Sequence, residues 1–249
     1  MSNYSHVVNA KEGEQFNTYT TERWPVGTIM ELTDGRRYRF GSAGGSNLAV
    51  GKLCQSEVPE AAWDELVMPG ATVVGDKSIT ITNGATTITK DELKGGYLNI
   101  EDDTGEGHLY KILGNDAELA GSAALVVRIA APGIVVATTT ATTVGVLKNP
   151  WRDVIIHPSP PTANLIGVPA VAIATTRYGW FQTRGPASIL IDGTVVIGFS
   201  VMPSNAVDGA VEAWGLAEAA PPTEIGFACG RVIEVAATTE YGLIDLHLE

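Results

Sequence analysis

The sequence predicts an all-β protein, on three observations. Short apolar runs are punctuated every few residues by Gly, Pro, Asn or Asp, which spells a succession of strands and tight turns. The 28 Gly and 13 Pro, with runs of Thr, Val and Ala, favour many short strands over long helices. One pattern also recurs: Ala174-Thr-Thr-Arg-Tyr-Gly-Trp-Phe181 returns 63 residues later as Ala237-Thr-Thr-Glu-Tyr-Gly-Leu-Ile244. Each copy reads as a hairpin turned at Thr-Thr-x-Tyr-Gly. Two copies are too few for a solenoid. The expected architecture is therefore a shared barrel- or sandwich-like sheet with equivalent turns on its rims, accompanied by a small additional β unit, one short helix and an extended N-terminal arm.

Taken in order, residues 1–23 are polar and without sustained period, and read as an arm that orders against something else, such as a neighbouring subunit. Residues 24–70 contribute strands and the helix to the main domain. Asp34-Gly35 joins Gly27–Thr33 to Arg36–Phe40 as a hairpin, since Asp-Gly tolerates the positive φ of a two-residue loop. In its second strand Tyr38 and Phe40 share one face and Arg37 and Arg39 the other. For these arginines a solvated face outweighs a phosphate site. Ser56 as cap, early acids and Pro59 announce a helix over Ala61–Met68. Residues 71–116 form the small unit, with Asn83-Gly84 turning Ser78–Thr82 into Ala85–Thr89. Residues 117–249 complete the main domain, ending in strands at Ile225–Ala228, Arg231–Ala236 and Leu243–Leu248. In the last of these Ile244, Leu246 and Leu248 form the buried face.

With 45% apolar and 18% charged residues, the 249-residue chain is expected to fold around a real core. Its formal charge of −12 repels phosphate, so no nucleic-acid partner is expected. No apolar run approaches the roughly 20 residues of a membrane-crossing helix, and no membrane partner is expected. The first residues lack the basic start and apolar core of a secretory signal. Cys54 and Cys229 read as two buried thiols in preference to a disulfide.

No chemistry-bearing constellation emerges. There is no Gly-x-Ser-x-Gly elbow, and the four His are scattered without ligand spacing. The Glu101, Asp102, Asp103 and Glu106 turn invites calcium but lacks the spaced D-x-D-x-D-G pattern, and a solvated turn is the better reading. The expectation is a non-enzyme with no cofactor, no metal and no catalytic residues. Aromatic residues point to binding. Trp180 and Phe181 are adjacent, so in a strand they face opposite sides, and burial on both sides is favoured over an outward anchor.

Several segments resemble a family of tailed-bacteriophage virion structural proteins of the capsid decoration, or cement, type. They are Asp34-Gly-Arg-Arg-Tyr-Arg-Phe40 with its Gly/Ala/Ser patch and Leu48–Gln55, Gly105–Ile112, Tyr178-Gly-Trp-Phe-Gln-Thr-Arg-Gly185, and Ile225–Leu248. The resemblance implies a β-rich protein on the outer capsid surface of a virion, assembled in the host cytoplasm and bound to the major capsid protein. A homo-oligomer is expected, a trimer suiting local three-fold positions. The residues singled out for capsid or partner contact are Phe16, Tyr19, Trp24, Arg37, Arg39 and Trp180. The rival expectation is a tail or fibre component that recognises a host surface glycan through an aromatic such as Trp180 or Trp214.

Overall fold

Asp34-Gly35 does turn the chain, as part of a three-residue loop. The Leu32 N–H donates to the Arg36 carbonyl at 3.0 Å, and only Gly35 takes a positive φ, 87°. That is the type I turn closed by a left-handed glycine that three-residue hairpins use. A computed structural model describes residues 7–122, 124–215 and 227–249, and it is nearly all β. Two units arise, one from residues 1–58 with 150–249 and one from residues 59–149. The second unit is wider than the expected 71–116, because the strands after Asp116 and the segment before Ala71 close its sheet.

In the first unit the strands are β1 Val7–Ala10, β2 Ile29–Leu32, β3 Arg37–Ser42 and β4 Cys54–Gln55. The chain leaves for the second unit through β5 Leu66–Val67, β6 Ser78–Ile81, β7 Tyr97–Asp102, β8 Leu109–Asn115, β9 Leu125–Ile129 and β10 Thr143–Leu147. It returns through β11 Ile155–Ile156, β12 Leu165–Pro169, β13 Tyr178–Leu190, β14 Ser200–Pro203, β15 Val211–Ala213, β16 Gly230–Glu234 and β17 Tyr241–His247. The first unit's sheet runs β1-β2-β3-β13-β17-β16-β14-β15, with β12 pairing β13 and β4, and β11 pairing β4. A parallel bridge from Ile191 to Val211 curls its far edge inward.

The sequence echo is the visible part of a larger internal repeat in this sheet. A shift of 63 residues carries Val168 opposite Gln182 and Pro169 opposite Phe181 onto Arg231 opposite Asp245 and Val232 opposite Ile244. On the other flank Gly41 faces Gly179 and Ile189 faces Gly242, so the C-terminal half of β13 plays for β17 the part that β3 plays for β13. Gly51 and Gly198, at φ 69° and 82°, donate to the equivalent carbonyls of Pro169 and Val232 at 3.0 and 2.9 Å. The cores correspond as well. Ala43, Leu48, Cys54, Ile166, Ile173 and Phe181 pack together in one half, and their counterparts Ile191, Val195, Val201, Cys229, Ala236 and Ile244 pack together in the other. Ala43 with Ile173 becomes Ile191 with Ala236, a small-for-large exchange that keeps the volume filled. The two thiols belong to different halves; both are free and buried.

The second unit orders its strands β5-β10-β7-β8-β9-β6, and the Thr82 N–H donates to the Val67 carbonyl at 2.8 Å, joining the two edges. Alternating Leu98 and Ile100, Tyr110 and Ile112, and Leu125, Val127 and Ile129 fill its interior. Two expectations fail here. The helix over Ala61–Met68 is a single 3-10 turn, Ala61–Trp63, capped by the Glu60 carboxylate. Glu65 at φ 50° then throws the chain into β5, so that Trp63, Leu66 and Met68 are buried inside the barrel. Tertiary burial overrides the local start signal, and the Ser56 N–H is spent on the Asn164 carbonyl.

The hairpin at Asn83-Gly84 also fails, since β6 pairs with β9 and neither residue takes a positive φ. Gly84 is needed for closeness instead: a Cβ there would lie 1.7 Å from the Ala62 carbonyl oxygen. Asn83 Nδ2 donates to the Thr86 and Leu119 carbonyls and ties two loops together. The arm is corrected too. From Val7 onward it is part of the chain's own sheet, β1 lying parallel to β2 with Val7 opposite Ile29. Residues 1–6, and Ile225 with Gly226 of the expected strand Ile225–Ala228, lie outside the described residues. Phe227 and Ala228 are not strand.

Candidate interaction site

Alternation along β3 sends Tyr38 and Phe40 to one face, and β13 sends Tyr178 and Trp180 to the same side. Large rings on a sheet face need a cover, and residues 7–24 supply it as a strap. Tyr19 makes an antiparallel bridge to Tyr178, each N–H donating to the other's carbonyl at 2.9 Å. Its ring meets Trp24 edge-on with centroids 5.4 Å apart, Trp24 lies 5.1 Å from Trp180, and Phe40 stacks on Tyr178 at 5.8 Å. Such pairs are worth about 0.5–1.5 kcal/mol each beyond burial. The Arg23 guanidinium lies 4.9 Å over Trp24 and 5.2 Å over Tyr19.

Polar contacts hold the strap at both ends. Glu12 accepts from Arg36 and Gln15, and Glu22 accepts from Arg152 at 3.1 Å. The Tyr19 hydroxyl donates to Glu14. Burial, then that carboxylate, pushes its pKa up to about 12. Burial likewise pushes Tyr38 up to about 12, against the nearby Arg36 guanidinium.

Of the six residues expected to meet a partner, the structure gathers Tyr19, Trp24 and Trp180 into this one cluster. Trp180 is fully buried, as is Phe181 behind it, so Trp180 offers no surface to a shell or a glycan. Arg39 pairs with Glu249 at 2.6 Å, donates to the Gly27 carbonyl and lies over Trp151. Arg37 faces Glu31 at 3.6 Å. Both arginines are engaged by the chain's own carboxylates. Phe16 stands alone among the six, 53% exposed at the end of the 3-10 turn Glu14–Phe16.

The acidic turn between β7 and β8 disperses its carboxylates. Glu101 accepts the Glu65 N–H, and Asp103 accepts Thr139 Oγ1 at 2.6 Å; backbone and side-chain donors, led by the Thr104 N–H, hold its pKa low. Among the described residues no group of three or more His, Cys, Asp or Glu is placed to hold a metal ion.

Sequence reasoning passed over the counterpart of the aromatic face. The shift of 63 that equates the two hairpins equates Tyr178 with Tyr241, Trp180 with Leu243 and Ala170 with Ile233. Tyr241 is 47% and Ile233 40% exposed. The signal was in the repeat, which names Tyr241 directly. Comparison of the chain with models of known families, with curated proteins and with solved structures gave no match.

Proposed function

We propose that this is a non-enzymatic decoration protein of a tailed-bacteriophage head, bound to the outer shell and strengthening contacts between major capsid subunits as a homo-oligomer. The observation that carries the reading is the placement of apolar side chains on the outside of well-paired strands. In the second unit Leu109 and Leu113 flank Lys111 on the outer face of β8, 61% and 58% exposed, and Leu147 and Val67 are exposed on β10 and β5. Apolar surface kept in water forgoes about 25 cal/mol per Å², and regular strands that present it supply the core of an interface. The resemblance in Asp34–Phe40, Gly105–Ile112 and Tyr178–Gly185 supports the same role, and the net charge of −12 suits the outer side of a shell packed with nucleic acid.

Heating virions with and without the protein tests this. Particles lacking it release DNA at a lower temperature, and rebinding the purified chain restores the wild-type profile; the L109D/L113D double variant does not restore it. Identical release curves for full and stripped particles would refute the proposal. The glycan-binding reading keeps one supporting observation, Trp214 at 44% exposure at the end of β15. Immunogold label on the tail in place of the head would select it.

A further inference from the structure

The two halves of the first unit present the same face, and among the described residues only one is covered. In the first half Ala170, Tyr178 and Trp180 lie under the strap, with Val8, Ala10, Tyr19 and Trp24 packed on them. In the second half the equivalent Ile233 and Tyr241 are 40% and 47% exposed, Leu243 is only partly buried, and Val235 beside them is 47% exposed.

The main chain repeats the difference. The Tyr178 N–H and carbonyl are both taken by Tyr19. Across from Tyr241, Leu190 sends its N–H away to the Gly51 carbonyl at 3.0 Å, and on the next pair Ile191 donates to the Glu240 carbonyl. In an antiparallel ladder this parity points the N–H and carbonyl of Tyr241 to the outer side, as those of Tyr178 point to Tyr19. No described residue bonds them. The result is one residue's worth of open strand edge beside an apolar patch, at the position where the first half binds an extended segment. The charge differs: Arg177 of the first turn is replaced by Glu240, and Glu234 is exposed on the adjoining end of β16.

We propose that the edge at Tyr241 is a docking site for an extended segment of another protein chain. That segment places one aromatic residue opposite Tyr241 in a two-bond antiparallel bridge, as Tyr19 does at Tyr178, and carries Lys or Arg beside it to meet Glu234 and Glu240. Main-chain bonds would give the pairing and the Ile233–Leu243 face the side-chain specificity, the usual division in strand addition.

The test uses the full chain and a capped synthetic peptide copying Asn17–Trp24 with Glu22→Lys, followed by amide exchange and NMR shifts. At saturating peptide the Tyr241 amide exchanges at least tenfold more slowly and shifts gather at Ile233, Tyr241 and Leu243, while the Tyr178 amide is unchanged. E234K/E240K, exposed positions checked for intact fold by circular dichroism, weakens binding about tenfold, and I233S does so without altering charge. Two results would overturn the proposal: no protection of Tyr241 at millimolar peptide, or shift changes centred on Tyr178 and Trp24 as the peptide displaces the strap.

Discussion

Replacing Tyr19 by Ala separates the strap from the sheet it covers. Tyr19 is mostly buried, and a tyrosine presents roughly 150–250 Å², so on the order of 100 Å² of apolar surface loses its cover. At about 25 cal/mol per Å² this costs about 2.5 kcal/mol. The edge-on contact with Trp24, 5.4 Å between centroids, adds about 0.5–1.5 kcal/mol. The hydroxyl bond to Glu14 is part exposed and adds little. The expected loss is thus about 3–4 kcal/mol, read as a shift in urea midpoint at unchanged slope. Two local signals accompany it: faster exchange of the Tyr178 amide, whose partner is the Tyr19 carbonyl, and red-shifted tryptophan emission as Trp24 and Trp180 meet water. A double cycle with Trp24→Ala isolates the ring pair. A loss below about 1 kcal/mol, with Tyr178 protection unaltered, would refute the assignment of residues 7–24 as a cover bound to their own chain.

Other consequences are as direct. Gly84→Ala drives a methyl into the Ala62 carbonyl and destabilises the second unit by about 3 kcal/mol, seen as a lower melting temperature with native-like spectra below it. Thr176 and Thr239 hold β-branched side chains at φ 59° and 69°, so T176G and T239G each raise stability by roughly 0.5–1 kcal/mol, the relief of left-handed strain outweighing glycine's entropy; opposite signs at the two turns would break their equivalence. Glu92 is partly buried, which alone would raise its pKa, yet the Thr89 N–H and hydroxyl and Lys148 Nζ at 2.9 Å bring it below the ordinary value of 4.5. A depressed folded pKa gives stability that is present above the unfolded value and lost as pH falls through the folded one. E92Q should therefore cost about 1–2 kcal/mol at neutral pH and nothing in strong acid, by urea titration across that range.

How much of this was legible depends on whether the signal was local. The Asp34-Gly35 turn, the alternation of Tyr38 and Phe40, and the final strand with Ile244 and Leu246 inside follow from neighbours in sequence, and the structure keeps them. Asn83-Gly84 misled because its glycine answers a contact with Ala62, twenty-two residues away, that no window displays. Ala61–Met68 misled because helix-start residues sit beside Trp63, Leu66 and Met68, which a barrel buries more fully as a turn and a strand. Adjacency set Trp180 and Phe181 on opposite faces with burial of both favoured, and that burial holds, whereas the choice of Trp180 as a partner contact does not. That the polar arm supplies the burial was not legible, since Val7–Ala10 pairs with Ile29–Leu32 in parallel across an eighteen-residue connection.

The repeat explains why one half needs a cover and the other can do without. Under the strap the first half buries Phe40 and Trp180 completely, rings that no soluble sheet face could leave in water without collapse or association. Their counterparts are Ser188 and Leu243, so the second half loses most of the apolar area while keeping the backbone frame that binds an extended segment. What remains in Ile233, Val235, Leu243 and Tyr241 is a smaller apolar patch, enough to reward a partner that also supplies two main-chain bonds. A site weakened in this way stays empty at low concentration and fills where partners are held close, since effective concentrations in the millimolar range convert weak strand addition into stable attachment. Restoring the lost rings is the test: S188F/L243W should add association through the second half beyond the oligomeric state of the parent chain, and a variant that keeps the parent's state at high concentration would show that something other than this face keeps the edge open.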